Sequence, residues 1–147
     1  MTNSRLALLA FILASFGCAG KSSPSTPLPS GPTAAVEQFL AAVKANDLRT
    51  MGELWGSDKG PANNWMDQDY REKALTVMRM TLVHDSYAID PAGTLPGGSE
   101  RERVVRVQLR RNNCRPTVPF TTLHYQDGWL VTNIDLEAAG NPRRPCP

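Results

Sequence analysis

Cysteine is scarce and odd in number, three among 147 residues, and histidine is scarcer still, with two. The chain has no HExxH, no CxxC, no phosphate-cradling Gly-rich loop and no G-x-S-x-G elbow. Those absences exclude the common zinc constellations, a thioredoxin-like redox pair, a P-loop nucleotide site and the serine-hydrolase nucleophile, so neither cofactor nor metal is expected. Neither sign of charge dominates: 16 Lys and Arg meet 14 Asp and Glu, a formal +2. That balance argues against a dedicated polyanion binder, and no nucleic-acid partner is expected. There is no internal repeat, and no apolar run approaches the ~20 residues of a membrane-spanning helix.

What is present begins at the N-terminus. Arg5 precedes the apolar run Leu6–Ala14, followed by Ser15-Phe16-Gly17-Cys18. A positive start, a short apolar core and small residues at a cut site predict a secretory signal over residues 1–17. A cysteine just past the cut, followed by a Ser/Pro-rich tether over 18–32, resembles a bacterial lipoprotein leader. The resemblance implies lipid attachment at Cys18 and a cell-envelope location; Ala19, rather than Asp, resembles outer-membrane sorting with the domain on the periplasmic side. The box departs from the usual pattern at Ser15 and Phe16, and Leu13 lies two positions early. Ser15-x-Gly17 also satisfies ordinary signal cleavage, which would release a soluble protein. An exported chain with three cysteines pairs two and leaves one. Cys114 and Cys146, both in the folded part, are expected to form a disulfide, and lipidation accounts for Cys18.

Removing the leader takes away one base, Arg5, and leaves 15 bases against 14 acids. Prolines at 24, 27, 29 and 32 stiffen the tether, which has almost nothing apolar to bury. Residues 33–147 then form one domain of ordinary size. Thr33 is a candidate N-cap for a helix carrying Val36, Phe39, Leu40 and Val43 at helical spacing. Asn46-Asp47 breaks it, and Asp47 caps a second helix from Leu48 to about Trp55. Gly56–Pro61 reads as a loop. A third helix is expected from about Asn64 to Leu82, with Met66, Tyr70, Ala74, Val77 and Met78 inward and Asp67/Arg71 and Asp69/Lys73 as ion pairs on the wet side. After Val83 the period changes to two. Strands are expected at Ser86–Asp90, Glu102–Arg111, Thr117–Tyr125 and Trp129–Leu136, with Val105, Val107 and Leu109 facing one way. Pro119 marks a bulge or an edge position. Helices first and an antiparallel meander after them make an α+β fold, helices packed on one face of a curved sheet.

The run Ala35-Val36-Glu37-Gln38-Phe39-Leu40-Ala41-Ala42-Val43-Lys44-Ala45-Asn46-Asp47-Leu48 resembles the opening of nuclear-transport-factor-2-like domains. The ending Asp127-Gly128-Trp129-Leu130-Val131-Thr132-Asn133-Ile134-Asp135-Leu136 is similar to their terminal hairpin. What this implies is a cone-shaped sheet around a helix, with an apolar cavity lined by Trp55, Tyr70, Met78, Tyr87, Leu123 and Ile134. The superfamily includes isomerases, dehydratases, cyclases, transport adaptors and exported proteins with no known reaction, so fold alone does not choose a function.

Candidate chemistry is sparse. Asp67 and Asp69 point to different sides of a helix and read as a solvated face, and His84-Asp85 reads as a local hydrogen-bonding junction. His124 lies on a strand expected to line the cone, with Asp135 as a second candidate base and Tyr70, Tyr87 and Tyr125 as donors. Two hairpin registers are open, one joining Gln126 to Trp129 and one joining Tyr125 to Trp129; a slip of one residue exchanges the faces. Three functions follow. The first is a non-catalytic, lipid-anchored envelope protein binding a small apolar ligand or a partner protein, with a homodimer through the sheet as one form. The second is an isomerase- or dehydratase-like enzyme using His124 or Asp135. The third is an anion binder working through the strand Arg101–Arg115, whose six arginines read more readily as an outward sheet face.

Overall fold

The computed structural model describes residues 27–144; the leader, Cys18 and Cys146 lie outside the described residues. Helix α1 (Pro32–Ala45) starts without a side-chain cap. Its N-cap is Gly31 rather than Thr33, and the Gly31 carbonyl accepts the Ala35 N–H at 3.0 Å. Pro32 suits the first helical position because its fixed φ fits the helix and no donor is needed there. The stripe Val36, Phe39, Leu40 and Val43 is buried as expected. Asn46 stops the helix in the left-handed region (φ 59°). Asp47 then caps α2 (Leu48–Leu54), one carboxylate oxygen accepting the Thr50 N–H at 3.0 Å and the other its hydroxyl at 2.7 Å.

The expected loop is a small antiparallel hairpin, β1 (Gly56–Ser57) and β2 (Gly60–Pro61), and the expected helix 64–82 is two helices, α3 (Ala62–Trp65) and α4 (Gln68–Thr81). Met66 is extended and Asp67 caps α4 through the Tyr70 N–H at 3.0 Å. The inward stripe also differs. Leu75 and Leu82 are buried and Met78 packs against the core, whereas Tyr70 and Val77 face out. Arg71 stands in the true inward stripe and folds back to donate to the Met66 carbonyl at 3.0 Å. Neither predicted α4 ion pair forms; among the described residues the ion pairs are Arg49–Glu53 and Arg106–Asp90.

Strands β3 (Ser86–Pro96), β4 (Glu102–Arg110), β5 (Thr117–Tyr125) and β6 (Gly128–Ile134) pair antiparallel in that order as an open sheet. The fold is therefore α+β. β3 is twice as long as expected because it resumes at Thr94 after an irregularity that spans Asp90–Gly93. Pro119 sits where the β5–β6 ladder runs out, its carbonyl accepting the Asp135 N–H at 3.1 Å. The terminal hairpin takes neither expected register: Tyr125 pairs with Gly128 and His124 with Trp129, across a turn in which Gln126 adopts φ 51°. Asp135 and Leu136, read as strand, instead open a short helix, α5 (Leu136–Ala139).

α1 packs against β4, β5 and β6. Between them Phe39, Leu40, Met51, Leu75, Val105, Leu109 and Phe120 are almost wholly removed from water. The outer edge of β6 is covered twice. Trp129 donates its N–H to the Pro29 carbonyl at 2.9 Å, and Trp55 bridges to Val131. Gly128 is needed here because a Cβ would collide with the Leu28 side chain. The last residues of the segment read as tether are thus packed on the domain, with Pro29 buried.

Candidate functional site

The six residues expected to line a cavity stand in different surroundings. Trp55, Met78 and Tyr87 are half-buried and packed against the core, and Ile134 belongs to it. Leu123 is buried outside the main core cluster, paired across the sheet with Leu130. Tyr70 is 63% exposed on α4. None of these six side chains lines any of the described surface clefts. Phe39, Phe120 and Leu75 belong to one buried cluster shared by helices and sheet.

The candidate acids and bases are dispersed and already engaged. His124 is exposed, tilted against the Trp129 ring with centroids 5.2 Å apart. Asp135 caps α5 by accepting the Ala138 N–H at 2.9 Å. His124 pairs with Trp129 near the start of β6, whereas Asp135 follows its end, so at ~3.3 Å per residue they stand roughly 20 Å apart along the strand. His84 is buried, its Nδ1 hydrogen-bonded to the Leu82 carbonyl at 2.9 Å and its ring edge-on to Tyr87. Burial pushes the Tyr87 hydroxyl pKa up, with Glu37 adding to it. Asp85 accepts the Asn112 N–H at 3.0 Å. Tyr125 accepts a bond from Gln126 at 3.2 Å. Among the described residues no three His, Cys, Asp or Glu side chains cluster as metal ligands.

The arginine run does not form one cationic face. Arg106 pairs with Asp90 at 2.6 Å. Arg103 turns back onto the Glu100 and Glu102 carbonyls at 2.8 and 2.6 Å. Arg111 is buried, and Arg101, Arg110 and Arg115 remain exposed.

Arg111 stands between the ends of two helices. Its guanidinium donates to the Thr81 carbonyl at the end of α4 (2.6 Å), to the Ala139 carbonyl at the end of α5, and to the Gly140 carbonyl (3.4 Å). No carboxylate among the described residues pairs with it, and burial lowers its pKa from the ordinary value. It is a cation placed where two helices present unpaired carbonyls. The result is a clamp between α4 and α5. Beside it lies the largest of the described clefts, about 870 Å³. On the α4 side it is lined by Val77, Met80 and Val83 and on the α5 side by Leu136 and Pro142; Arg79, Arg143, Glu137 and Asn141 are also among its lining residues. The spacing Val77-Met80-Val83 was a second apolar stripe beside Leu75-Met78-Leu82. Reading one inward stripe into an unbroken helix merged the two.

A second cleft, about 460 Å³, lies on the other side of the clamp and is lined by Arg111, Cys114, Arg115 and Arg144 among others. Among the described residues no helix is long and apolar enough to cross a membrane. Compared with protein-family models, curated proteins and solved structures, the chain finds no match.

Proposed function

We propose that the chain is an exported bacterial envelope protein, lipid-anchored at Cys18, whose nuclear-transport-factor-2-like domain binds rather than catalyses. The order of elements, two helices, a small hairpin, further helices and a four-stranded antiparallel meander, supports the fold reading. Arg5, the apolar run and Cys18 support the address. The observation that carries the binding reading is the cleft between α4 and α5, whose apolar side chains folding has left uncovered while the acid/base candidates are held apart. Cys114 and Cys146 form a disulfide in this reading, tying the C-terminal tail to the β4–β5 turn, in which Arg111 and Cys114 bridge.

The test is mass spectrometry of the protein extracted from membrane fractions. A mature chain that starts at Cys18 and carries acyl groups is expected, with Cys114 and Cys146 unavailable to alkylation until reduced. Reduction should lower stability by roughly 3–4 kcal/mol on the chain-entropy model for a loop of about 30 residues. A soluble product with an unmodified Cys18 overturns the anchor.

A further inference from the structure

We propose that the α4–α5 cleft is a binding site for an anionic single-chain amphiphile, a fatty acid held by its carboxylate and its alkyl chain. The proposal rests on the binding reading above and names its ligand class. Val77 and Met80 in the last turns of α4 and Val83, just past its end, are 55%, 41% and 50% exposed. All three line the same cleft. Leu136 and Pro142, on the α5 side, are also apolar, so an alkyl chain lying between the two sides would remove both from water. The volume falls within the roughly 300–1,000 Å³ of small-molecule sites. Met80 is unbranched and polarizable, which suits a flexible chain of no fixed shape.

The charges select the head group. Arg79 and Arg143 line the cleft against a single carboxylate, Glu137, and neither arginine is in an ion pair among the described residues. A guanidinium matches a carboxylate with two parallel hydrogen bonds, which a neutral alcohol cannot return and a cation would oppose. The ends of α4 and α5 point their carbonyls into this region, and Arg111 has already satisfied those of Thr81 and Ala139. The head group is therefore assigned to Arg79 and Arg143, not to a helix terminus. Because Arg111 fixes both walls, little ordering is left for the ligand to bring about.

The experiment titrates the mature chain with laurate below its micellar concentration, alongside dodecanol and dodecyltrimethylammonium, reading methyl chemical shifts and calorimetric heats. Laurate is expected to bind at micromolar concentration and to shift the Val77, Met80, Val83 and Leu136 methyls. Val77→Asp should weaken it at least tenfold, as should Met80→Glu. Arg79→Gln with Arg143→Gln should weaken laurate about tenfold and leave dodecanol within about twofold. Four results overturn the proposal: no laurate binding, binding that leaves those methyls unmoved, dodecanol or the cation binding as tightly as laurate, or an acidic amphipathic peptide occupying the cleft where laurate does not. That last result assigns the cleft to a protein partner. None of them touches the state of Cys18, so the anchor and the ligand fail separately.

Discussion

The two faces of α4 were built from similar residues and met different fates. On one face Leu75 and Leu82 are buried in the cluster that α1, α2 and the sheet share, with Met78 packed against it. On the other, Val77 and Met80, followed by Val83, stand half in water. Folding explains the first face completely, because burying it joins the helices to the sheet. It does not explain the second, where apolar area is kept exposed and its surroundings are fixed by a buried arginine. An apolar surface held in place but left uncovered is what a binding site requires and what a core does not.

The comparison breaks most visibly in the core. Phe120→Ala removes a fully buried ring from β5 facing α1. It should cost about 3–5 kcal/mol in urea unfolding, the range for large-to-small changes in a packed core. A loss under about 1 kcal/mol would mean that the helix–sheet interior tolerates space, and the cone cavity would return as a candidate site. Arg111→Ala comes next. It leaves the Thr81 and Ala139 carbonyls without their donor and separates the cleft walls, so about 2–4 kcal/mol should be lost. Laurate affinity should fall in the same variant while Phe120→Ala protein, still folded below its midpoint, keeps it.

Asp47→Ala tests a smaller feature, the break between α1 and α2. Loss of the cap should cost about 1 kcal/mol. The hydrogen bonds from Thr50 hold the Asp47 carboxyl below its ordinary pKa. A depressed folded-state pKa contributes stability that is present above the unfolded value, near 3.8, and is lost as pH falls through the folded one. The gap between wild type and variant should therefore begin to narrow below about pH 4 and go on narrowing as pH falls through the folded-state pKa. A difference that persists unchanged at pH 2 assigns the effect to helix propensity rather than to the charged cap.

That break was legible in the sequence because Asn and Asp are the residues that tolerate a left-handed turn and cap a helix, and both did so here. β4 was legible because Val105, Val107 and Leu109 alternate with polar partners. Elsewhere local rules competed. Arg71 within the inward stripe of α4 disguised it, since its guanidinium is accommodated there by donating to the Met66 carbonyl. Pro91 and Gly93 read as a connection, yet β3 resumes beyond them. The hairpin register turned on Gln126 accepting a positive φ, which composition does not announce. The cleft needed both the true phase of α4 and the existence of α5, and each was hidden behind an adjacent element. Asp135 before Leu136-Glu137-Ala138-Ala139-Gly140 was the available signal, a cap and a terminating glycine around four residues.

The smallest expected effect is the most discriminating. Val77→Asp alters a side chain that is mostly in water, so stability without ligand should change by no more than about 0.5 kcal/mol. Val and Asp have similar helix propensities, and an acid at 77 lies one turn from Lys73, a favourable spacing. Its place in the last half of α4 works the other way, since acids near a helix C-terminus are mildly unfavourable. These terms are each a few tenths of a kcal/mol and oppose one another. Laurate binding should nevertheless fall at least tenfold, because the acid introduces charge into the apolar wall and repels the carboxylate. Stability unchanged with affinity lost separates surface kept for a ligand from surface used for folding. A loss of stability above about 1 kcal/mol would show that something in the folded protein already covers Val77, and the two faces of α4 would then be two parts of one core.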